Sequence, residues 1–156
     1  MRAVVQRVSR ASVEINDGRS ESIGQGLLIY LGVARDDDNT DTAYLVDKIR
    51  HLRIFSDENG KQNLDIHQAG GEEGKPALPV LVVSAFTVQA DARKGRRPSF
   101  EAVARGEKAE ALYEKFCSAL RDTGLCVKTG SFGSYMSVKC DNDGPICILL
   151  DSRRTF

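Results

Sequence analysis

Hydrophobic and polar positions alternate in two segments near the start of the chain, residues 2–8 and 11–16, where Val and Ile recur between polar neighbours. A period of two marks a strand with one buried face. Both segments therefore read as β-strands, the second closing in the turn Asn16-Asp17-Gly18. The run Gly26-Leu27-Leu28-Ile29-Tyr30-Leu31-Gly32-Val33 is apolar without alternation, which suits a strand covered on both faces. The period then lengthens. Asp38-Asn39-Thr40 supplies N-cap side chains, and Leu45, Val46, Ile49 and Leu52 follow at helical spacing, predicting a helix that ends about Leu52.

Arg53-Ile54-Phe55 reads as a short strand before a turn at Asp57-Glu58-Asn59-Gly60. Residues 66–79, with three glycines and two prolines, read as a loop. Val80-Leu81-Val82-Val83 is a second covered strand, running on into Ser84-Ala85-Phe86-Thr87-Val88. A second helix is predicted from Glu107 to about Thr123, with Leu112, Tyr113, Phe116 and Leu120 on one face and Gly124 stopping it. The last strands fall at about 126–128, 135–140 and 146–150, the final two separated by Asp141-Asn142-Asp143-Gly144-Pro145.

At 156 residues, 41% of them hydrophobic and 28% charged, the chain suits one globular domain spanning 1–156. A chain of this length buries a core without needing disulfides or a structural metal. Acidic and basic residues balance at 22 each, so any nucleic-acid contact must rest on a local concentration of charge. Arg93-Lys94-Gly95-Arg96-Arg97-Pro98 is such a concentration. No apolar stretch approaches the roughly 20 residues of a membrane span, and the first residues lack a signal-peptide run. The expectation is a cytoplasmic protein without membrane contact. Cys117, Cys126, Cys140 and Cys147 form no Cys-x-x-Cys and have no histidine pair close by, so they are expected to be buried thiols. Neither a metal nor an organic cofactor is expected, because no ligand cluster stands at workable spacing.

The usual catalytic constellations are missing. Gly24-Gln25-Gly26 lacks the third glycine of a dinucleotide loop, and neither a P-loop nor a Gly-x-Ser-x-Gly elbow occurs. His51 sits near a helix end and His67 in the glycine-rich loop, where solvated or capping roles suit them better than catalysis. Three segments stand out instead. Ser84 to Val88 places small and hydroxyl residues at the end of a buried strand, either as a functional backbone or as ordinary strand-edge polar residues. Lys94 to Pro98 is either a phosphate contact or a solvated loop. Asn142-Asp143-Gly144-Pro145 is explained by turn chemistry, although an X-Pro bond can also be cis.

Taken in order with the opening Met1-Arg2-Ala3-Val4-Val5-Gln6-Arg7-Val8, the Leu52-Arg53-Ile54-Phe55 segment and Lys94-Gly95-Arg96-Arg97-Pro98-Ser99-Phe100, these segments resemble the D-aminoacyl-tRNA deacylases. The likeness runs from Met1 to about Ser152. It implies a single α/β domain with a mixed, barrel-like sheet and two main helices, working as a homodimer on aminoacyl-tRNA. It implies hydrolysis of the ester in D-aminoacyl-tRNA and in mischarged glycyl-tRNA. By resemblance, Ser84, Ala85, Phe86 and Thr87 line the pocket for the 3′-terminal adenosine and its ester. Ester hydrolysis develops an oxyanion, which the amides near Phe86 and Thr87 are expected to stabilise, and the resemblance implies that the tRNA's own ribose 2′-OH takes part in the chemistry. The resemblance also implies that Gly144-Pro145 is a cis pair inserted from the partner subunit, which holds the α-ammonium and excludes an L side chain. The resemblance further implies that Arg7 fixes that pair and that Phe132 and Met136 pack around the adenine, while the local charge of Lys94, Arg96 and Arg97 makes them the expected tRNA phosphate contacts.

This chain departs from the family pattern in three ways. Ala85 stands where glutamine is usual, Ile146-Cys147 stands where Val-Thr is usual, and the segment around residues 72–79 reads as several residues longer. Two other readings remain open from sequence: an esterase with Thr87 or Ser84 as nucleophile, and a nucleic-acid-binding relative without catalysis.

Overall fold

The computed structural model describes residues 1–70 and 76–155. Its centre is a six-stranded mixed sheet built on one long strand, β1 (Arg2–Ile15). One edge of β1 pairs antiparallel with β3 (Gly26–Gly32) along residues 2–8 and with β2 (Ser20–Ile23) along residues 11–14. The other edge pairs antiparallel with β8 (Met136–Asp151). β6 (Val80–Ser84) lies parallel to β3, and β7 (Val127–Thr129) parallel to β6. A separate hairpin joins β4 (Phe55–Ser56) to β5 (Gln62–Leu64).

The sequence divides β1 into two strands, whereas the structure holds a single one. Ser9 and Arg10 are exposed and read as a break, but the ladder to β8 continues past them through register shifts between Gln6 and Val8 and between Val8 and Arg10. Such bulges bend a strand and increase its twist. The bend divides the buried side chains of β1 between two cores. Ala3 and Val5 join the main core beneath the helices. Val8, Ala11 and Val13 join a smaller core with Ile23, Leu28, Leu81 and Val83, inside the curl that makes the sheet barrel-like.

Helix α1 (Asn39–Arg50) opens with a capping box, in which the Asp38 carboxylate accepts from the Thr40 N–H at 2.7 Å and Asp41 accepts from the Asp38 N–H at 2.9 Å. Its Leu45, Val46 and Ile49 are buried as predicted, while Leu52 lies beyond its end and is half-buried. Helix α3 (Gly106–Asp122) buries Leu112, Tyr113, Phe116 and Leu120. Removing such side chains from water contributes about 1.5–3 kcal/mol each. Gly124, at φ +88°, ends it as expected.

Four further expectations need correction. The 66–79 segment is not all loop: Ile66–Ala69 forms a one-turn helix, α2, because Asp65 caps the His67 and Gln68 amides while the Gln68 side chain returns to the Asp65 N–H. Residues 72–75 of the segment read as longer lie outside the described residues. The short strand begins at Phe55 rather than Arg53, paired with a β5 that the polar Gln62-Asn63 did not suggest. β6 ends at Ser84, and Phe86–Gln89 winds into a 3₁₀ turn instead of continuing as strand. Finally, only Cys117 is buried; Cys126, Cys140 and Cys147 are exposed, the last two on β8, which among the described residues pairs with β1 alone.

Candidate active site

A cavity of about 680 Å³ opens where the parallel strands β3 and β6 end. Its walls come from Tyr30 and Leu31 of β3, the segment Val83 to Thr87, the stretch Val103 to Gly106, and Phe132 to Met136. The structure thus brings Ser84, Ala85, Phe86, Thr87, Phe132 and Met136 into one site.

The floor is made by the 3₁₀ turn. Val88 N–H donates to the Ala85 carbonyl at 3.1 Å and Ala90 N–H to the Thr87 carbonyl at 3.0 Å. The Phe86 and Thr87 amides precede the first rung of this ladder and cannot donate within it. Two residues seat the turn. A Cβ on Gly32 would stand 3.1 Å from the Ala85 carbonyl oxygen and from side-chain carbons of Val88 and Gln89, so glycine lets the turn pack on β3. Gln89 is buried and its Nε2 donates to the Gly32 carbonyl at 2.8 Å. Sequence reasoning missed Gln89, since a glutamine next to alanine carries no local signal of burial.

Aromatic rings frame the mouth. Phe86, 57% exposed, meets Phe100 edge-on with centroids 5.2 Å apart. Phe132 leans on Tyr113 at 5.8 Å, and the Tyr113 hydroxyl donates to the Val82 carbonyl at 3.0 Å, tying α3 to the middle of β6. Met136 lies over Gly130, where any Cβ would collide with its sulfur. Burial raises the Tyr30 phenol above its ordinary range. Among the described residues, no histidine, carboxylate, cysteine or lysine lines the cavity. His51 and His67 lie on α1's C-cap and on α2, away from it. Nor does any group of three His, Cys, Asp or Glu among the described residues stand where it could hold a metal.

Gly144 and Pro145 form a second, separate cluster. Their peptide bond is cis, both residues are exposed, and neither lines the cavity of its own chain. β8 runs unbroken around them, but its pairing passes from Val8–Asn142 to Gln6–Cys147, so residues 143–146 stand out of the ladder. Asn142 braces this bulge from both sides. Its Nδ2 donates to the Ile146 carbonyl and its Oδ1 accepts from the Ile146 N–H, each at 2.9 Å. Arg7 braces it from below, with Nε 2.9 Å from the Asp143 carboxylate and Nη1 donating to the Ile54 carbonyl at 2.6 Å. The motif was legible in sequence; the clamp by Asn142 was not.

The basic loop is a third element. Its base is closed by two hydrogen bonds between Asp91 and Ser99, at 2.8 and 2.9 Å. Arg93 is committed to Asp91, and this pairing holds the carboxyl well below its usual range. Lys94, Arg96 and Arg97 are exposed and line no part of the cavity. Phe100 follows directly, so the loop is tethered to the cavity wall.

The fold and site together define a mixed α/β domain with an aromatic-rimmed cavity at the strand ends and an outward-facing Gly-Pro bulge. The model of the family described as D-Tyr-tRNA(Tyr) deacylase matches residues 4–151, and the chain belongs to that family. A D-aminoacyl-tRNA deacylase of Anaeromyxobacter dehalogenans is 53% identical over the whole of both chains, and one of Clostridioides difficile is 49% identical, again over both. Among solved structures, the c-Myc DNA Unwinding Element Binding Protein superposes with a TM-score of 0.87 at 38% identity, covering 97% of this chain and 98% of the other. A probable eukaryotic D-amino acid tRNA deacylase shares the fold, with a TM-score of 0.79 at 18% identity. None of the described helices is long and apolar enough to cross a membrane.

Proposed function

We propose that this chain hydrolyses the ester of D-aminoacyl-tRNA, and of mischarged glycyl-tRNA, releasing free tRNA and the amino acid. The observation that carries this reading is the cavity itself: unladdered backbone amides at its floor, and no histidine, carboxylate, cysteine or lysine on its described walls. Such a site supplies orientation and electrostatics rather than a side-chain nucleophile.

In this mechanism the terminal adenosine enters between Phe132 and Met136, and the ester carbonyl points at the Phe86 and Thr87 amides. The adjacent ribose 2′-OH orients a water for attack. The ester C–O bond breaks, the 3′-oxygen leaves as the tRNA hydroxyl, and the amino acid leaves as its carboxylate. Gly144 and Pro145 reach the site from a second copy of the chain, because they are exposed and absent from the walls of their own cavity. Their carbonyls hold the α-ammonium and leave no room for an L side chain. Arg7 and Asn142 keep this wall in place, and Ala85 leaves extra space beside Ser84. Lys94, Arg96 and Arg97 meet the tRNA backbone. The enzyme works in the cytoplasm as a homodimer, without cofactor.

The test is incubation with matched D- and L-alanyl-tRNA. Loss of the D ester with the L ester intact is expected. Comparable hydrolysis of both would refute chiral selection, and binding of tRNA without turnover of either would leave only a nucleic-acid-binding role.

A further inference from the structure

Three large apolar side chains are notably exposed among the described residues: Phe86, Leu149 and Tyr135. Single exposed apolar residues are ordinary, but Phe86 and Tyr135 share the mouth of one cavity. Tyr135 is the most open of the three, at 82%. Its backbone is nonetheless fixed. The Tyr135 carbonyl accepts from the Asn16 N–H at 3.2 Å, and the preceding turn is closed by Ser134 N–H to the Ser131 carbonyl at 3.3 Å and by the two serine hydroxyls at 3.0 Å. Across the described residues the ring has no aromatic or cationic partner. Arg105, on the same cavity just before α3, is exposed and without an ion pair or hydrogen bond among the described residues. An open aromatic face and an uncommitted guanidinium on one rim match a base and a phosphate, not an amino acid.

We propose that Tyr135 and Arg105 bind the nucleotide that precedes the terminal adenosine, the ring stacking on its base and the guanidinium meeting the phosphate between the two nucleotides. This rests on the deacylase reading, which fills the interior with the adenosine and leaves the rim to its neighbour. A ring on an anchored backbone has only its own two side-chain torsions to lose on stacking, and stacking tolerates any base. Both residues are positioning residues.

The experiment compares D-alanyl-tRNA with D-alanyl-adenosine, which lacks the preceding nucleotide. Tyr135→Ala should raise KM for the tRNA ester about 10-fold more than for the nucleoside ester, with kcat little changed and Tyr135→Phe restoring it. Arg105→Gln should show the same preference and, unlike Tyr135→Ala, flatten the salt dependence of binding to uncharged tRNA by about one phosphate contact. Equal losses on both esters would place the ring on the terminal adenosine and overturn the assignment, as would no loss on either. A Tyr135→Ala protein that sediments as monomer where the parent is a dimer would assign the ring to a subunit interface and overturn it likewise. Should the parent protein cleave neither ester, the deacylase reading fails. The rim assignment is then decided by uncharged tRNA: weaker binding to Tyr135→Ala upholds it and unchanged binding overturns it.

Discussion

The Arg7 guanidinium stands against Asp143, its Nε 2.9 Å from the carboxylate and 3.3 Å from the main-chain carbonyl of the same residue. Through Nη1 it also holds the Ile54 carbonyl at 2.6 Å. One nearly buried cation therefore fixes the residue directly before Gly144 to the segment before β4. A lysine keeps the charge but lacks the fork that reaches both partners. Arg7→Lys should cost about 1–3 kcal/mol of stability and lower kcat/KM for D-alanyl-tRNA about 10-fold or more. Thermal unfolding and single-turnover hydrolysis measure the two. Full activity in a destabilised protein would separate the Arg7 brace from substrate selection.

Thr87 is exposed on the cavity floor with no base among the described wall residues. If its amide rather than its hydroxyl does the work, Thr87→Ala should retain kcat within about tenfold. Loss of a true nucleophile costs about 10⁴-fold or more, so a loss of that size in hydrolysis assays would establish the side-chain-esterase mechanism instead.

How much of this was legible in the sequence depends on the range of the interactions. Long periodic segments declared themselves: α1 and α3 begin and end within a residue or two of expectation, because their caps and stops are local. β1 and β8 were each divided in two, since what carries them past Ser9-Arg10 and past Gly144-Pro145 is pairing with each other, a relationship between distant residues. In the site, Ser84 to Thr87, Phe132 and Met136 came from resemblance, and the fold gathers them. The roles of Gln89, Tyr135 and Arg105, and the clamp made by Asn142 within its legible motif, are not readable from sequence, because a polar or aromatic residue shows its role only through where its neighbours in space lie.

Lys94, Arg96 and Arg97 are exposed and unpaired by any ion bridge among the described residues, unlike Arg93. The Arg96→Ala, Arg97→Ala double variant should bind tRNA more weakly and lower the slope of log affinity against log salt by about 1.5, while single-turnover hydrolysis at saturating enzyme changes little. An unchanged slope in binding titrations would put this loop outside the interface.

Burial pushes the Cys117 thiol up to about 11 from an ordinary 9.0. Burial likewise raises the Tyr113 phenol, beside it on α3. Between pH 9 and 11 the unfolded chain therefore sheds the Cys117 proton while the folded chain keeps it. The folded state is the one binding more protons, so stability falls as pH rises through this window and is unaffected below it. The loss from Cys117 is at most about 3 kcal/mol. Melting temperatures at pH 8 and pH 10.5 should differ less in Cys117→Val. Native alkylation at pH 8 should modify Cys126, Cys140 and Cys147 and spare Cys117 until the chain is denatured. Rapid native labelling of Cys117 would contradict its burial.

Gln89 offers the sharpest test of the cavity floor. Its side chain is buried, and its Nε2 donates to the Gly32 carbonyl at 2.8 Å, the bond that seats the 3₁₀ turn on β3. Gln89→Met is close in volume but donates nothing, leaving a buried carbonyl without this donor at a cost of about 1–3 kcal/mol. The turn should then shift, moving the Phe86 and Thr87 amides off the oxyanion, so kcat should fall more than KM rises. Gln89→Glu is more telling. A buried carboxylate facing the Gly32 carbonyl is repelled and desolvated, which raises its pKa. Ionised, it should disturb the turn as Met does. Protonated, it regains a hydroxyl that donates to the same carbonyl. Activity of Gln89→Glu relative to the parent should therefore recover as pH falls through the raised pKa of the new acid, whereas the Gln89→Met ratio stays flat with pH. A Gln89→Glu ratio equally flat, or full activity in both variants, would show that the Gly32–Gln89 bond does not set the geometry of the floor.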